Sequence, residues 1–279
     1  MTPHPASRRT HAGAARRRID ALLRAGRGVA QAARRSAGGE CVVCRSWCGG
    51  ALCPHCGNRF ASARERCGGC AAPLAPPPAS LHADAGSVDR GPPERRCARC
   101  RLGPPAWSRA VAAVDYGYTW DRLLADLKFH DRLAHLDALT APLLDRLRDG
   151  AADDGLPSAL RVVPVPLSRE RLRERGYNQA WELARRLARA LGLDARADAL
   201  FRVRDTGRQL GLQRDARRAN LRDAFVAAPR HAAWVRGAAV ALVDDVLTTG
   251  ATAQAAARAL LAAGARDVQL WVVARTPDE

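Results

Sequence analysis

Residues 238–264 read AAVALVDDVLTTGATAQAAARALLAAG, an order of residue types that few architectures accommodate. The apolar run from Ala238 to Val243 has the length and composition of a buried strand. Two adjacent carboxylates, Asp244 and Asp245, end it, and a short loop of hydroxyls and glycine follows. From about Ala251 to Ala263 the Ala/Leu-rich segment predicts a helix, with Gly264 as its C-terminal stop. A strand passing through a short loop straight into a helix is the repeating unit of α/β sheets.

The same stretch is an expected anion site. Backbone N–H groups at the helix start, and the positive end of its dipole, face whatever occupies the loop. Thr248, Thr249 and Thr252 add hydroxyl donors, and Gly250 allows close approach to the backbone. Asp244 and Asp245 repel a phosphate, so their expected partners are sugar hydroxyls or a divalent cation. A ligand with both phosphate and ribose meets both demands. The segment Asp244, Asp245, Val246, Leu247, Thr248, Thr249, Gly250, Ala251 and Thr252 resembles the phosphoribosyl pyrophosphate signature of type I phosphoribosyltransferases.

The surrounding chain repeats the alternation. From Trp107, WSRAVAAVDYGYT reads as a strand or hairpin. Leucines from Leu123 to Leu147 have helical spacing, interrupted at Lys128–Arg132, which predicts two helices. Leu160–Val165 is a second buried strand, followed by prolines that force an extended loop. Arg169, Arg171, Arg173 and Arg175 come next, ahead of a helix from about Asn178 to Leu191. Basic residues beyond a strand's carboxyl end stand where open α/β sheets bind ligands. Ala199–Val203 is a third expected strand, then a basic connection with Thr206, Gln209, Arg217, Asn220 and Phe225. Asp267–Ala274 is the closing strand. These units point to a mainly parallel sheet with helices on both faces. Lys128 is the only lysine among 45 basic residues. Its compact ammonium suits a specific contact, although chance placement competes evenly.

Eight of the nine cysteines fall in CxxC pairs: Cys41/Cys44, Cys53/Cys56, Cys67/Cys70 and Cys97/Cys100, with Cys48 left over. Two such pairs complete a tetrahedral thiolate site, so four predict two structural zinc ions, with the pairing of the pairs left open. Residues 41–100 hold few large apolar side chains and need metal to fold. Gly57, Gly68 and Gly69 suit knuckle turns at positive φ. His55 lies inside a knuckle whose cysteines already saturate the sites. His82 falls in a Pro/Gly-rich loop between the third and fourth pairs.

The formal charge of +17 favours polyanions, nucleic acid being the commonest in a cell. Residues 1–40 hold nine arginines against Asp20 and Glu40 and read as a basic, mostly disordered arm. No apolar run is long enough to span a bilayer, and no secretory signal is evident. With paired cysteines suited to metal rather than disulfides, the expected location is the cytoplasm.

The N-terminal CxxC pairs, VPVPLSRERLRERGYNQA, RDTGRQLGLQRDARRANLRDAF and LVDDVLTTGAT, in that order, resemble the ComF family over residues 41–275. That family comprises phosphoribosyltransferase-like proteins associated with DNA uptake. The resemblance implies a type I phosphoribosyltransferase-like domain at 106–279 and a Cys-rich zinc module at 41–105, and the basic arm at 1–40 falls outside it. It implies handling of single-stranded DNA, beside a helicase-like partner. The alternative is an active transferase, with Asp244 and Asp245 on ribose and Mg²⁺ as the catalytic pair. Val165, Pro166, Ser168, Arg169, Arg175, Asn178 and Lys128 are then candidate contacts for pyrophosphate or DNA. The acceptor base and any surviving activity stay open.

Overall fold

The computed structural model describes residues 38–75, 95–150, 156–157, 159–203 and 224–277. Residues 1–37 of the basic arm lie outside these, as do 76–94 with His82 and 204–223 with Thr206, Gln209, Arg217 and Asn220. The chain divides after Cys56 into two compact units. In the first, β1 (Gly39–Glu40) and β2 (Trp47–Cys48) pair antiparallel around the Cys41–Cys44 knuckle, and α1 (Pro54–Phe60) starts just after Cys53.

The second unit opens with the same construction. An antiparallel bridge between Arg66 and Pro73 closes the Cys67–Cys70 knuckle, and Cys97 stands at the start of α2 (Ala98–Leu102). The positive φ angles fall on Arg45 and Ala71, each one residue past the second cysteine of its knuckle. The glycines expected to serve there do not. Gly69 is needed for space instead, because a Cβ on it would meet Cys100 Sγ at 2.9 Å.

The central sheet is parallel throughout. Its strands are β3 (Arg109–Asp115), β4 (Arg161–Pro164), β5 (Asp194–Ala195), β8 (Ala239–Leu247) and β9 (Asp267–Arg275), in spatial order β3-β9-β8-β4-β5. Between β3 and β4 run α3 (Trp120–Phe129) and α4 (Leu136–Asp149), broken where the leucine spacing breaks. After β4 come α5 (Arg169–Arg175) and α6 (Gln179–Leu191). The strands β6 (Leu200–Arg202) and β7 (Phe225–Ala227) pair antiparallel with each other. A short helix α7 (Ala232–Val235) precedes β8, and α8 (Ala251–Ala262) joins β8 to β9. Helices α4 and α6 cover one face of the sheet. On the other, Ala253, Ala256, Ala257 and Leu260 of α8 pack with Val240 and Leu242 of β8 and Leu270 and Val272 of β9. Each fully buried Val or Leu there stabilises by about 1.5–3 kcal/mol. The alanines of α8 let the helix lie close to the sheet.

Three sequence expectations need correction. The strand expected to end at Val243 continues through both carboxylates to Leu247, because the register with β9 continues, Asp244 opposite Val272 and Val246 opposite Ala274. That pairing overrides the poor strand propensity of aspartate. The arginine-rich loop before α6 is a helix, α5. Ser168 caps it by accepting a hydrogen bond from Arg171 N, and Gly176 ends it at φ 72°. The strand expected at 199–203 belongs to the separate β6–β7 hairpin.

The strand order gives the sheet a switch point beside the candidate site. From β4 the chain moves outward to β5, whereas from β8 it moves the other way to β9. Connections leaving neighbouring strands in opposite directions open a crevice at their carboxyl ends, where open α/β sheets bind ligands. Residues 165–168 and 244–252 flank that crevice, and Val165 N donates to Val243 O at 2.8 Å.

Candidate functional site

A concavity opens at the end of β8, on its β9 side. Asp244, Val246, Leu247, Thr248, Thr249, Gly250, Ala251 and Thr252 line an open concavity of about 330 Å³, together with Ala253, Leu270 and Val272. Gly250 is the residue before α8, with φ 80°, a conformation that disfavours any residue with a Cβ. It gives the helix no side-chain cap, so the orphan N–H groups of the first turn face the loop. Thr248 and Thr249 are exposed at the rim. Ala251 N lies 3.4 Å from Thr249 Oγ1, a weak bond that a phosphate oxygen can replace.

The two carboxylates differ in surroundings. Asp245 Oδ2 meets Lys128 Nζ at 2.6 Å, so the chain's sole lysine bridges from the last turn of α3 to the acidic pair. Asp244 Oδ1 accepts from the backbone N–H of Asp245 at 2.9 Å. Burial, and then the neighbouring Asp245 charge, push Asp244 up to about 8, against the pull of Lys128. A divalent cation there relieves both causes and stabilises the ionised pair.

The segment after β4 positions rather than lines. Asn178 Oδ1 caps α6 by accepting from Ala180 N at 3.0 Å, and its Nδ2 donates to Val165 O at 3.0 Å. Arg175 lies over the Phe129 ring at 5.2 Å and donates to Gln179 Oε1 at 3.1 Å. The Tyr177 hydroxyl donates to Leu127 O. Arg175 and Tyr177 thereby clamp the end of α3 that carries Lys128. Ser168 is buried as the α5 cap, and Pro166 is half-buried beside it. Arg169, Arg171 and Arg173 stand exposed on α5.

The cysteines form two tetrads by pairing in sequence, Cys41–Cys44–Cys53–Cys56 and Cys67–Cys70–Cys97–Cys100. Within each, all four sulfurs lie within 4.8 Å of one another. Cys44 and Cys53 sulfurs are 3.7 Å apart, as are those of Cys70 and Cys97. A tetrahedron with metal–sulfur bonds of about 2.3 Å has edges of about 3.8 Å, whereas a disulfide needs about 2.05 Å. Cys53 N and Cys97 N point to the sulfurs of Cys41 and Cys67 at 3.4 and 3.2 Å, contacts that stabilise thiolate.

Their acidities diverge accordingly. The Ser46 hydroxyl holds Cys44 down at about 6. Burial pushes Cys67 up, but N–H groups of Cys97, Cys70 and Gly69 outweigh it and hold it at about 7. Burial and neighbouring sulfurs push Cys56 up to about 12 and raise Cys100 as well. A central cation reverses that repulsion, so the donor set fits one. Neither tetrad includes His55 or Cys48, whose sulfur contacts Gly50 O at 2.9 Å.

Sequence reading missed Trp107, Gln254 and Arg275, which join the second tetrad to the β8–α8 loop. Arg275 is 2 % exposed; its Nε donates to Cys70 O at 2.9 Å and its Nη1 to Leu247 O at 3.3 Å. An arginine closing the apolar run LWVVAR was the available signal.

No family model matches the chain. It is 38% identical to the DNA utilization protein YhgH of Salmonella typhi, over 67% of this chain and 80% of that protein. It is 31% identical to competence protein F of Haemophilus influenzae, over 80% of this chain and 96% of that one. Among solved structures, glutamine phosphoribosylpyrophosphate amidotransferase from B. subtilis, complexed with ADP and GMP, aligns with 53% of this chain and 30% of its own. The TM-score is 0.33 and the identity 16%, too slight a likeness to argue from.

Proposed function

This chain belongs to the ComF family of competence protein F and DNA utilization protein YhgH, and on that premise we propose that it serves the uptake or use of DNA. It binds single-stranded DNA and, at residues 244–252, a ligand of the phosphoribosyl pyrophosphate kind. The single observation that carries the ligand reading is the concavity at the carboxyl end of β8. An acidic pair there adjoins an uncapped helix N-terminus, as a ribose-phosphate held with Mg²⁺ requires. Support for the DNA reading comes from the relatives' names and from the exposed Arg169, Arg171 and Arg173, joined on one short helix beside the crevice.

Zinc is the metal we assign to the two tetrads, from their all-sulfur donor set and edge lengths. Among the described residues no helix is long and apolar enough to cross a membrane. A cytoplasmic location, where thiolates stay reduced, and a helicase-like partner complete the proposal.

The acidic pair favours a second reading, an active phosphoribosyltransferase. Asp244 and Asp245 would hold the ribose hydroxyls and Mg²⁺, and the 248–252 loop the 5′-phosphate. Catalysis would then be chiefly electrostatic positioning of the departing pyrophosphate.

One comparison separates the readings. Wild type and the Asp244→Asn/Asp245→Asn variant are assayed for single-stranded DNA binding and for pyrophosphate release from phosphoribosyl pyrophosphate with candidate bases. Release by wild type alone, with DNA binding retained in both, establishes the transferase. DNA binding without release from either protein supports the DNA-handling reading, and failure to bind DNA refutes it.

A further inference from the structure

The second cysteine tetrad is bonded to the loop expected to hold phosphate. Trp107 is buried; its Nε1 donates to Gly69 O at 2.6 Å, inside the Cys67–Cys70 turn. The far edge of the same ring lies 3.3 Å from where a Cβ on Gly250 would stand, so the indole is the floor under the start of α8. Buried Arg275 makes a second bridge, from Cys70 O to Leu247 O. Thr276 N adds a bond to Leu247 O at 3.0 Å. A third link ties Ala106 N to Gln254 Oε1, in the first turn of α8, at 3.0 Å. The Cys67–Cys70 turn is itself tight: Gly69 N points to Cys67 Sγ at 3.4 Å, and the Cys100 side chain leaves no space for a Cβ on Gly69.

We propose that Trp107 and Arg275 are positioning residues that couple metal occupancy of the Cys67–Cys70–Cys97–Cys100 tetrad to ligand binding by the 248–252 loop. The metal holds the 67–70 turn; Gly69 O and Cys70 O hold the indole and the guanidinium; these set Gly250 and the Leu247 carbonyl. The Arg275 bridge ends on a backbone carbonyl at each end, and the Trp107 bridge runs from a backbone carbonyl at Gly69 to a packing contact under Gly250, so both transmit backbone placement. The inference rests on the reading above, in which the tetrad takes zinc and the loop takes the phosphate of a phosphoribosyl pyrophosphate-like ligand. Coupling between two binding events is reciprocal, so ligand in the loop must tighten retention of the metal by the same factor that metal strengthens the ligand.

The test uses full-length zinc-loaded protein, titrated with a chromophoric zinc chelator with Mg²⁺ alone and with Mg²⁺ plus phosphoribosyl pyrophosphate. Zinc content and equilibrium ligand binding are measured on the same samples. The expected result is that the ligand raises the chelator concentration needed to strip one of the two ions by about fivefold or more. Trp107→Phe, which stays aromatic but loses both the donor to Gly69 and the far indole edge against Gly250, and Arg275→Met should retain two ions and a cooperative melt yet lose that ligand dependence. Variants that melt earlier but keep the ligand dependence overturn the positioning role, leaving only packing. Wild type that binds both zinc and the ligand, yet surrenders zinc equally with and without it, overturns the coupling alone. Wild type that fails to bind either overturns the underlying functional reading, and the coupling with it.

Discussion

Replacing Lys128 by Met tests the connection between α3 and the acidic pair. The Nζ–Oδ2 separation is 2.6 Å, with the side chains of Lys128 and Asp245 23% and 14% exposed. At that distance, and an effective dielectric of about 20, the gross attraction is about 6 kcal/mol. Desolvation of two largely buried ions opposes most of it. Breaking fully buried pairs costs about 3–5 kcal/mol, and breaking exposed ones about 0–1 kcal/mol. This pair lies between, so Lys128→Met should destabilise by about 2 kcal/mol. At about 2–4 °C per kcal/mol for a unit of this size, the melt should fall by about 4–8 °C. Methionine keeps most of the aliphatic stem, which confines the loss to the charge. A double-mutant cycle with Asp245→Asn, read by thermal unfolding in circular dichroism, isolates the pair. The double variant should be more stable than the sum of the singles predicts by at least about 1 kcal/mol. Mg²⁺ should restore stability to Lys128→Met more than to wild type, since the cation then meets an acidic pair with no ammonium competing. A coupling energy below about 0.5 kcal/mol would refute the claim that Lys128 is held for Asp245.

Three further outcomes follow from other parts of the molecule. Burial and the adjacent Asp245 raise Asp244 to about 8, so the folded chain keeps a proton that the unfolded chain loses near pH 4. Stability without cation should therefore decline as pH rises from about 4 toward 8, while Mg²⁺ binding strengthens; melts with and without Mg²⁺ at pH 6–9 read both, and Asp244→Asn should flatten them. Gly250→Ala, at φ 80° and against the Trp107 ring, should destabilise by about 1–2 kcal/mol and weaken phosphoribosyl pyrophosphate binding; calorimetry showing unchanged affinity would contradict the loop geometry. Binding of single-stranded DNA should weaken with salt, and Arg173→Gln should lower the slope of log K against log salt by about 0.7; an unchanged slope removes α5 from the interface.

Local patterns were legible in the chain wherever one physical signal dominated. The apolar run of β8, the alanine-rich α8 with its glycine stop, and the leucine spacing of α3 and α4 all report burial, which the order of side chains records directly. The CxxC pairs were equally plain, since a tetrahedral thiolate site needs short spacing within a pair. Less legible was α5, whose seven residues bury no side chain and whose helix depends on Ser168 and Gly176 at its ends. Asn178 and Arg175 drew notice as candidate contacts, and both make intramolecular bonds that hold α6 and the end of α3. A polar side chain looks the same in sequence whether its partner is a ligand or a backbone carbonyl.

What the sequence determined by itself was the α/β alternation, the hydroxyl- and glycine-rich loop after two carboxylates and the presence of four CxxC pairs. Each follows from spacing within about 25 residues, where periodicity, capping and ligand reach act. Only the tertiary structure decided that cysteine pairs join in sequence and that strands β4 and β8 lie side by side with their connections diverging. It alone brought Lys128 to Asp245, 117 positions later by their numbers, and Cys70 to Arg275 across 205. Those contacts arise from the order in which strands enter the sheet, a property of the whole packed core that no local pattern carries.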